Sequence, residues 1–565
     1  MKRAIPLLML ILLLPSILAE SLQDFNEHRT VETSFHLKGA FELHKGGEKS
    51  IVESVSSAVS FVPINNFQQT ITSYKTEAQP QAEIERKEQE TVFTWKNPRT
   101  ETFSFITDAT IKIENGLVVI REKTPFPLTN VDKKYIEESE FIDISPGIRN
   151  KAQELAAGED DLYQVAFNVA EWTQENINYS LETLTADVVQ KASWVYDNKF
   201  GVCDELTNVF IAMMRSLGVP ARFVSGMAYT NINYQWGPHA WAEVYFPGRG
   251  WVPFDVTYGQ YGWIDPSHIK FKESLDSNEA SVKYEWRSYD TSFTGKELEL
   301  QTELIQLGEK IQSPVEISIK PIEEKLAPGS YVPLEITVRN PQTHYLPETI
   351  TITKAFELTE QNTKRILLEP EQTKTIYWIT KIPEEAQRGY IYTLVIEVEE
   401  SFHKKGSTNV SFGKGFEYIS REEAEERIKE FIPHKNGVEI VLPEEKSEES
   451  KTEIREEVKI KIEGLPQEIR YNQEVEMNIM ITTGEPIQNV ELFLNDEKIT
   501  HAEEIRQANQ ITVKAEGKNF FKEEEIKIRL VYEKNGERKE EEMINAVDIV
   551  KVPWVLKLLK VVRIL

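Results

Sequence analysis

Cysteine is almost missing from this chain: there is one, Cys203, in 565 residues. A single thiol forms no internal disulfide, so each domain must be held by burial alone. A zinc site built on paired cysteines is excluded for the same reason. Positive charge is also scarce, with 65 Lys and Arg against 92 Asp and Glu and a formal net charge of −27. So acidic a chain lacks the basic footprint that nucleic-acid binding requires. Long hydrophobic runs are lacking too. The main apolar stretch, residues 4–19, is broken by Pro6 and Pro15 and falls short of the ~20 residues of a bilayer span. Neither a phosphate-binding glycine loop nor a dinucleotide fingerprint occurs. No cofactor or metal site is expected.

What is present begins with a leader. Lys2 and Arg3 precede the apolar run Ile5–Leu14, and Ala19 offers a small residue for cleavage. Residues 1–19 read as a signal peptide for export to the cell surface or beyond, with an uncleaved anchor as the alternative. The roughly 545 remaining residues exceed one hydrophobic core and imply several domains.

Residues 20–145 carry short alternating runs such as TVETSFHL, ETVFTW, ATIKIE and LVVIREK and predict an N-terminal β domain. Helical periodicity then begins near Gly158, with Leu162, Val165, Ala166, Val169 and Trp172 on one stripe. A second helical piece is expected from Asp187 to about Tyr196. A third starts at Cys203 with the stripe Leu206, Phe210, Met213, Met214 and Leu217. The strand patterns ARFVSG, HAWAEVYF and WVPFDVTY follow, which makes residues 146–290 an α+β domain. Alternation returns over 295–415 as a β-sandwich, a charged helix and linker occupy 416–456, and a second sandwich covers 457–549. The last stretch, 550–565, spaces Lys557, Lys560 and Arg563 opposite Val555, Leu558, Leu559 and Val562. Over residues 552–565 it reads equally as a basic amphipathic membrane-surface helix or as a helix docked on the last β domain. The predicted fold class is multidomain: an α+β catalytic domain flanked by all-β, sandwich-like (Ig-like) domains.

The chemistry gathers at Cys203. A helix start supplies unpaired N–H groups and positive potential, which favour a thiolate. His239 opens a strand pattern 36 residues later and Asp255 a further 16 residues on. Nucleophile, base and orienting carboxylate are then available in order. Alternation along HAWAEVYF places His239, Trp241, Glu243 and Tyr245 on one face, with Ala240 and Ala242 on the other for close packing against a helix. Trp236 and Trp241 flank His239 as expected cleft walls. Arg222 is expected in a structural ion pair.

These residues resemble the transglutaminase-like cysteine domains of the papain-like structural group. The resemblance rests on AEWTQENINYS, KFGVCDELTNVFIAMMRSLGVPARFVSG and GPHAWAEVYFPGRGWVPFDVT, roughly residues 160–269. It implies Cys203 as nucleophile, His239 as general base and acid, and Asp255 as orienting carboxylate. The family's aspartate is usually followed by Pro and Thr; here Val256 and Thr257 follow. The Cys203 backbone N–H is one expected oxyanion donor. Tyr179, Trp172 and Trp194 are candidates for the second, with Tyr179 favoured. The implied activity is amide or peptide chemistry through an acyl-enzyme on a protein or peptide substrate. Hydrolysis is favoured over cross-linking. The alternative is a cell-surface adhesive or scaffolding protein whose β domains bind partners, the thiol domain being secondary.

Overall fold

The computed structural model describes residues 25–180, 189–230, 235–278, 281–296, 298–431, 439–441, 458–463, 468–470, 474–482, 487–495, 497–505, 508–516, 525–534, 537–546 and 548–550. The leader at 1–19 and the amphipathic stretch from 551 onward lie outside the described residues. The chain divides into two compact units, 1–444 and 445–565.

The first unit opens with β1 (Thr30–Lys45), β2 (Ile51–Val59), β3 (Gln69–Gln79), β4 (Glu83–Arg86), β5 (Thr91–Lys96) and β6 (Thr102–Glu114). Along β1 the buried positions alternate strictly, bringing Val31, Phe35, Leu37, Phe41 and Leu43 to one face, the period-two signature of a half-buried strand. Four helices follow: α1 (Pro146–Leu155), α2 (Leu162–Asn176), α3 (Ala192–Asn198) and α4 (Cys203–Ser216). The short strands β7 (Asn178–Tyr179) and β8 (Phe200–Gly201) lie between them. Next come β9 (Ala221–Thr230), β10 (Gln235–Phe246), β11 (Gly250–Asp255), β12 (Gln260–Tyr261) and β13 (His268–Ser274), and then β14 (Val282–Tyr289), β15 (Thr291–Gly295) and β16 (Glu299–Leu307).

Helix α1 has no counterpart in the sequence reading. Its cues are local ones: Ser145 Oγ accepts from Ile148 N at 3.3 Å, and Pro146 stands in the first turn. Helix α2 starts where Asp161 accepts from Tyr163 N at 3.1 Å. Both surround α4, which lies on the antiparallel sheet β12-β11-β10-β9-β13. The alanines of β10 permit this close approach. Ala240 and Ala242 belong to the same core as Leu206, Val209, Phe210 and Met213 of α4.

The N-terminal β region does not end where the sequence places it. Its strands stop at Glu114, and the LVVIREK stretch carries no strand; it is tied down instead by Gly116 N to Ile264 O at 2.9 Å and Val118 N to Gly262 O at 3.3 Å. The partners of β1 and β2 come from beyond the helical domain. Strands β15 and β16 pair with β1, and β14 pairs with β2, Val282 opposite Val59. Residues 282–289, expected inside the cysteine domain, therefore belong to a two-sheet β layer, β15-β1-β6-β3 with β16 also on β1, over β14-β2-β5-β4. The physical reason is satisfaction of backbone groups: β6 covers one edge of the 16-residue β1, and only the later strands cover the other. Met227, Ile269 and Phe271 of β9 and β13 enter the same core as Phe35, Phe41 and Phe105, so this sheet and the β layer share one interior.

A sandwich follows at 315–412. One sheet runs through Glu316–Pro321, Tyr331–Arg339 and Thr373–Lys381, the other through Lys405–Phe412, Tyr392–Glu399, Leu346–Lys354 and Thr363–Leu368. Ile336, Val338, Ile350, Trp378 and Val398 fill its core. The acidic run after residue 420 forms α5 (Arg421–Phe431), which buries Ala424 and Ile428. The second unit, taken by itself, is all strand where described. It has a four-stranded sheet of Glu497–Ile505, Ile487–Leu494, Glu525–Lys534 and Glu537–Ala546 and a three-stranded one of Lys459–Glu463, Glu474–Thr482 and Ala508–Glu516. Among the described residues no helix is long and apolar enough to cross a membrane.

Candidate active site

Helix α4 begins at Cys203 because the turn before it is closed from inside. Glu205, 1% exposed, accepts from Val202 N and Gln190 N, each at 2.9 Å. A Cβ on Gly201 would press on Glu205, so only glycine lets the chain pass so near the capping carboxylate. Cys203 is thereby fixed, half-buried, at the first turn. Its backbone N–H is one of the four without an intrahelical acceptor.

His239 stands on β10 and Asp255 at the end of β11, two strands paired in one sheet. His239 Nε2 and Asp255 Oδ2 are 2.6 Å apart. The other carboxylate oxygen accepts from Thr257 N at 2.8 Å and Tyr258 N at 2.9 Å, so the Val256–Thr257 departure keeps the aspartate fully bonded. Burial alone would raise the Asp255 carboxyl, but the bonds and charges of His239 and His268 hold it well below the usual carboxylate range. With Nε2 committed to Asp255, Nδ1 is the His239 nitrogen left for the thiol. Both His239 and Cys203 line one cleft of about 530 Å³.

The thiol departs from expectation. Burial, reinforced by the charge of Asp204 and a hydrogen bond to it, pushes Cys203 well up; the Ala240 N–H opposes this. Cys203 Sγ donates to Asp204 Oδ1 at 3.3 Å, and burial raises Asp204 in turn. The helix start is outweighed by the burial of the thiol and, after it, by the carboxylate next door. Burial and Asp204 together oppose the thiolate that a helix start by itself would favour.

Of the other sequence candidates, Tyr179 lines the cleft. Strand β7 pairs in parallel with β8, Tyr179 opposite Gly201, which brings it beside the start of α4. Burial, then the neighbouring Cys203 and Asp204, raise its hydroxyl to about 12, so it stays a donor. Trp172 and Trp194 instead pack on Tyr196 and Phe200 and are not among the cleft-lining residues. Trp236 and Trp241 do not wall the cleft either. Trp241 is on the His239 face, as alternation requires, but that face is covered. Trp241 is 0% exposed, packed with Val224 and Ile264 behind the histidine. Trp236 points the other way and joins Phe25 and Tyr229. Arg222 pairs with Glu243 at 2.6 Å and with Glu273.

Two groups escaped the sequence reading. Phe61, Leu298 and Leu300, from the β layer, line the same cleft as Cys203 and His239. Their distance along the chain hides them. Behind His239 and Asp255 sits His268, its side chain 0% exposed, with Nε2 at 3.1 Å from Asp255 Oδ2 and Nδ1 at 3.0 Å from Asp265 Oδ1. Burial would lower this imidazole, yet Asp265 and Asp255 raise it to about 10. His268 has no role in the sequence reading, since nothing local in IDPSH marks a second histidine on the Asp255 carboxylate. The ligand atoms of His239, Asp255 and His268 lie within 4.8 Å of one another. Separations of 2.6 and 3.1 Å between nitrogen and oxygen are those of shared protons, not of groups spread around an ion.

Residues 149–256 match the family model described as the transglutaminase-like superfamily. The chain is 28% identical over 148 residues to the uncharacterized protein YebA of Bacillus subtilis, covering 23% of this chain and 19% of that protein. It is 26% identical over 102 residues to a protein-glutamine gamma-glutamyltransferase of Pseudomonas aeruginosa, covering 17% and 15% respectively. The chain thus spans less than a fifth of the length of either curated relative. A solved Cytophaga hutchinsonii structure, provisionally described as a cysteine protease, aligns at 17% identity and a TM-score of 0.38 over 49% of this chain and 91% of that one. Residues 149–256 are a transglutaminase-like domain, set in a strand-rich multidomain chain.

Proposed function

We propose that this chain is an exported thiol enzyme that opens amide or peptide bonds through an acyl-enzyme on Cys203, with water as the usual acceptor. The observation that carries the reading is the 2.6 Å bond between His239 and Asp255, made in a cleft that also holds a thiol at a helix start. His239 takes the thiol proton as sulfur attacks the substrate carbonyl carbon. The Cys203 N–H and the Tyr179 hydroxyl face the oxygen on which charge develops. His239 then returns the proton to the leaving amine, the C–N bond breaks, and a thioester remains. A water molecule, giving its proton to His239, resolves the thioester to a carboxylic acid and frees the thiol. An amine in place of that water would give cross-linking by the same steps.

The serines 225, 274, 277 and 281 along the cleft support entry of water, which favours hydrolysis. The leader at residues 1–19 supports export, and the basic 552–565 stretch supports contact with a membrane surface. Incubation with a peptide library and a tagged primary amine tests the reading by mass spectrometry. Cleaved peptides and a thioester on Cys203 are expected, both lost in Cys203→Ala. Equal products from parent and Cys203→Ala would overturn the reading. Tagged glutamines without cleavage would reverse the choice of acceptor.

A further inference from the structure

The triad aspartate serves two histidines. Asp255 Oδ2 meets His239 Nε2 at 2.6 Å and His268 Nε2 at 3.1 Å, while His268 Nδ1 meets Asp265 Oδ1 at 3.0 Å. Asp265 is itself bound by Ser267 N at 2.7 Å, by the Ser267 hydroxyl, and by Gln260 Nε2 at 2.7 Å. With both ring nitrogens of His268 directed at carboxylates, each must carry a proton to bond, because a carboxylate only accepts. We infer that His268 is a resident imidazolium, and that it acts as a positioning residue which keeps Asp255 ionised and opposes a second positive charge on His239. The inference rests on the acyl-enzyme reading above and deepens it.

The surroundings are closed on every side. Toward His268 face Asp255 of β11, Asp265 and Ser267 of the preceding loop, His239 and Trp241 of β10 with ring centres at 5.6 and 5.4 Å, and Tyr258 at 5.2 Å. Toward His239 face the same Asp255, His268 and Tyr258, with Asp204 and Cys203 from α4. Asp255, Asp265 and Asp204 outnumber the one fixed cation and leave a net negative charge for His239 to answer. Without the cation, Asp255 would act on His239 undivided. A positive charge on His239 would then meet no like charge to oppose it. His268 thus places a like charge beside the His239 ring, the two ring centres being 5.6 Å apart.

The test uses the full chain and p-nitrophenyl acetate, an activated ester that acylates a thiol and releases p-nitrophenol. Acylation of Cys203 needs neutral His239, so the acid limb of the rate-against-pH profile reports that group. His268→Gln is expected to move this limb up by about one pH unit, cutting the rate roughly tenfold on the acid side. The parent, in ¹⁵N NMR of its histidines, is expected to show both His268 nitrogens protonated from pH 6 to 8.5. Asp265→Asn is expected to bring His268 into that titration range. An unmoved acid limb with only a uniform rate loss would make His268 merely structural and overturn the inference. A single-proton pattern for His268 in the parent at pH 7.5 would overturn it even if His268→Gln fails to fold. Failure of the acyl-enzyme reading looks different: p-nitrophenyl acetate would react equally with parent and His239→Ala, whatever the NMR shows.

Discussion

Replacing Asp204 with asparagine removes one charge next to the nucleophile and leaves the triad intact. In the native site Asp204 accepts from Cys203 Sγ at 3.3 Å, and this neighbour is the main influence after burial that pushes the thiol up. Two unit charges about 4 Å apart interact by about 4 kcal/mol at an effective dielectric constant of about 20, and by about 1 kcal/mol in bulk water. Cys203 and Asp204 are only half-buried at the cleft, so about 1–2 kcal/mol is the fitting range. That is a factor of roughly 5–30 in thiolate fraction. Alkylation by iodoacetamide, followed from pH 5 to 9, reads it directly. Asp204→Asn should react roughly 5–30 times faster than the parent at pH 7.5. The gap should narrow as pH falls and the raised Asp204 carboxyl of the parent takes up its own proton. Because burial raises the Asp204 carboxyl, its ionised form costs stability above the unfolded carboxyl range of about 3.9, so the faster thiol should come with no loss of Tm at pH 7.5. Equal or slower alkylation at pH 7.5 would refute the claim that Asp204 holds the thiol proton.

Three further outcomes follow from the same structure. Asp255→Asn replaces a carboxylate that receives two histidines and two backbone amides; esterase turnover should fall by about 10³–10⁴, and a loss under tenfold would remove Asp255 from the triad. Gly226→Ala would drive a Cβ into the Ile269 carbonyl and the Trp241 ring behind His239. We expect a loss of several degrees in Tm by calorimetry together with loss of turnover, against an unchanged profile if the strands can part. In the sandwich, Glu348 is 2% exposed, and burial first and Glu400 second raise its carboxyl well above the usual range. A folded-state acid raised in this way costs stability as pH climbs past the unfolded carboxyl range near 4.3. Glu348→Gln should therefore match the parent in Tm near pH 4 and exceed it at pH 7–8; a constant difference across pH would show that the carboxyl does not titrate on unfolding.

Cys203, His239 and Asp255 were legible as candidates because each sits in its own local context: a helix start, an alternating strand, a strand end. Alternation along β10 likewise put His239 and Trp241 on one face, though not what covers that face. Pairings across long chain distances were hidden. Nothing near Phe61 announces that Leu298 and Leu300 will join it at the cleft, and nothing in IDPSH announces that His268 will reach Asp255. Local pattern also misjudged the thiol, since a helix terminus can be read from sequence but a desolvated carboxylate beside it cannot. Helix α1 was missed because only two of its ten residues, Ile148 and Ala152, are buried, too few to set a period.

The two-part β layer also imposes an order of events on the nascent chain. The pairing of Lys38 with Glu299 closes a separation of 261 residues. At synthesis rates of about 5–20 residues per second, β1 waits roughly 13–50 s for that partner, with one edge open. During that time the whole cysteine domain is made and can fold. The transglutaminase-like domain is thus joined by strands that leave the ribosome after it, and a chain cut at residue 290 would lack Leu298 and Leu300 of the cleft and never close the sheet on β1.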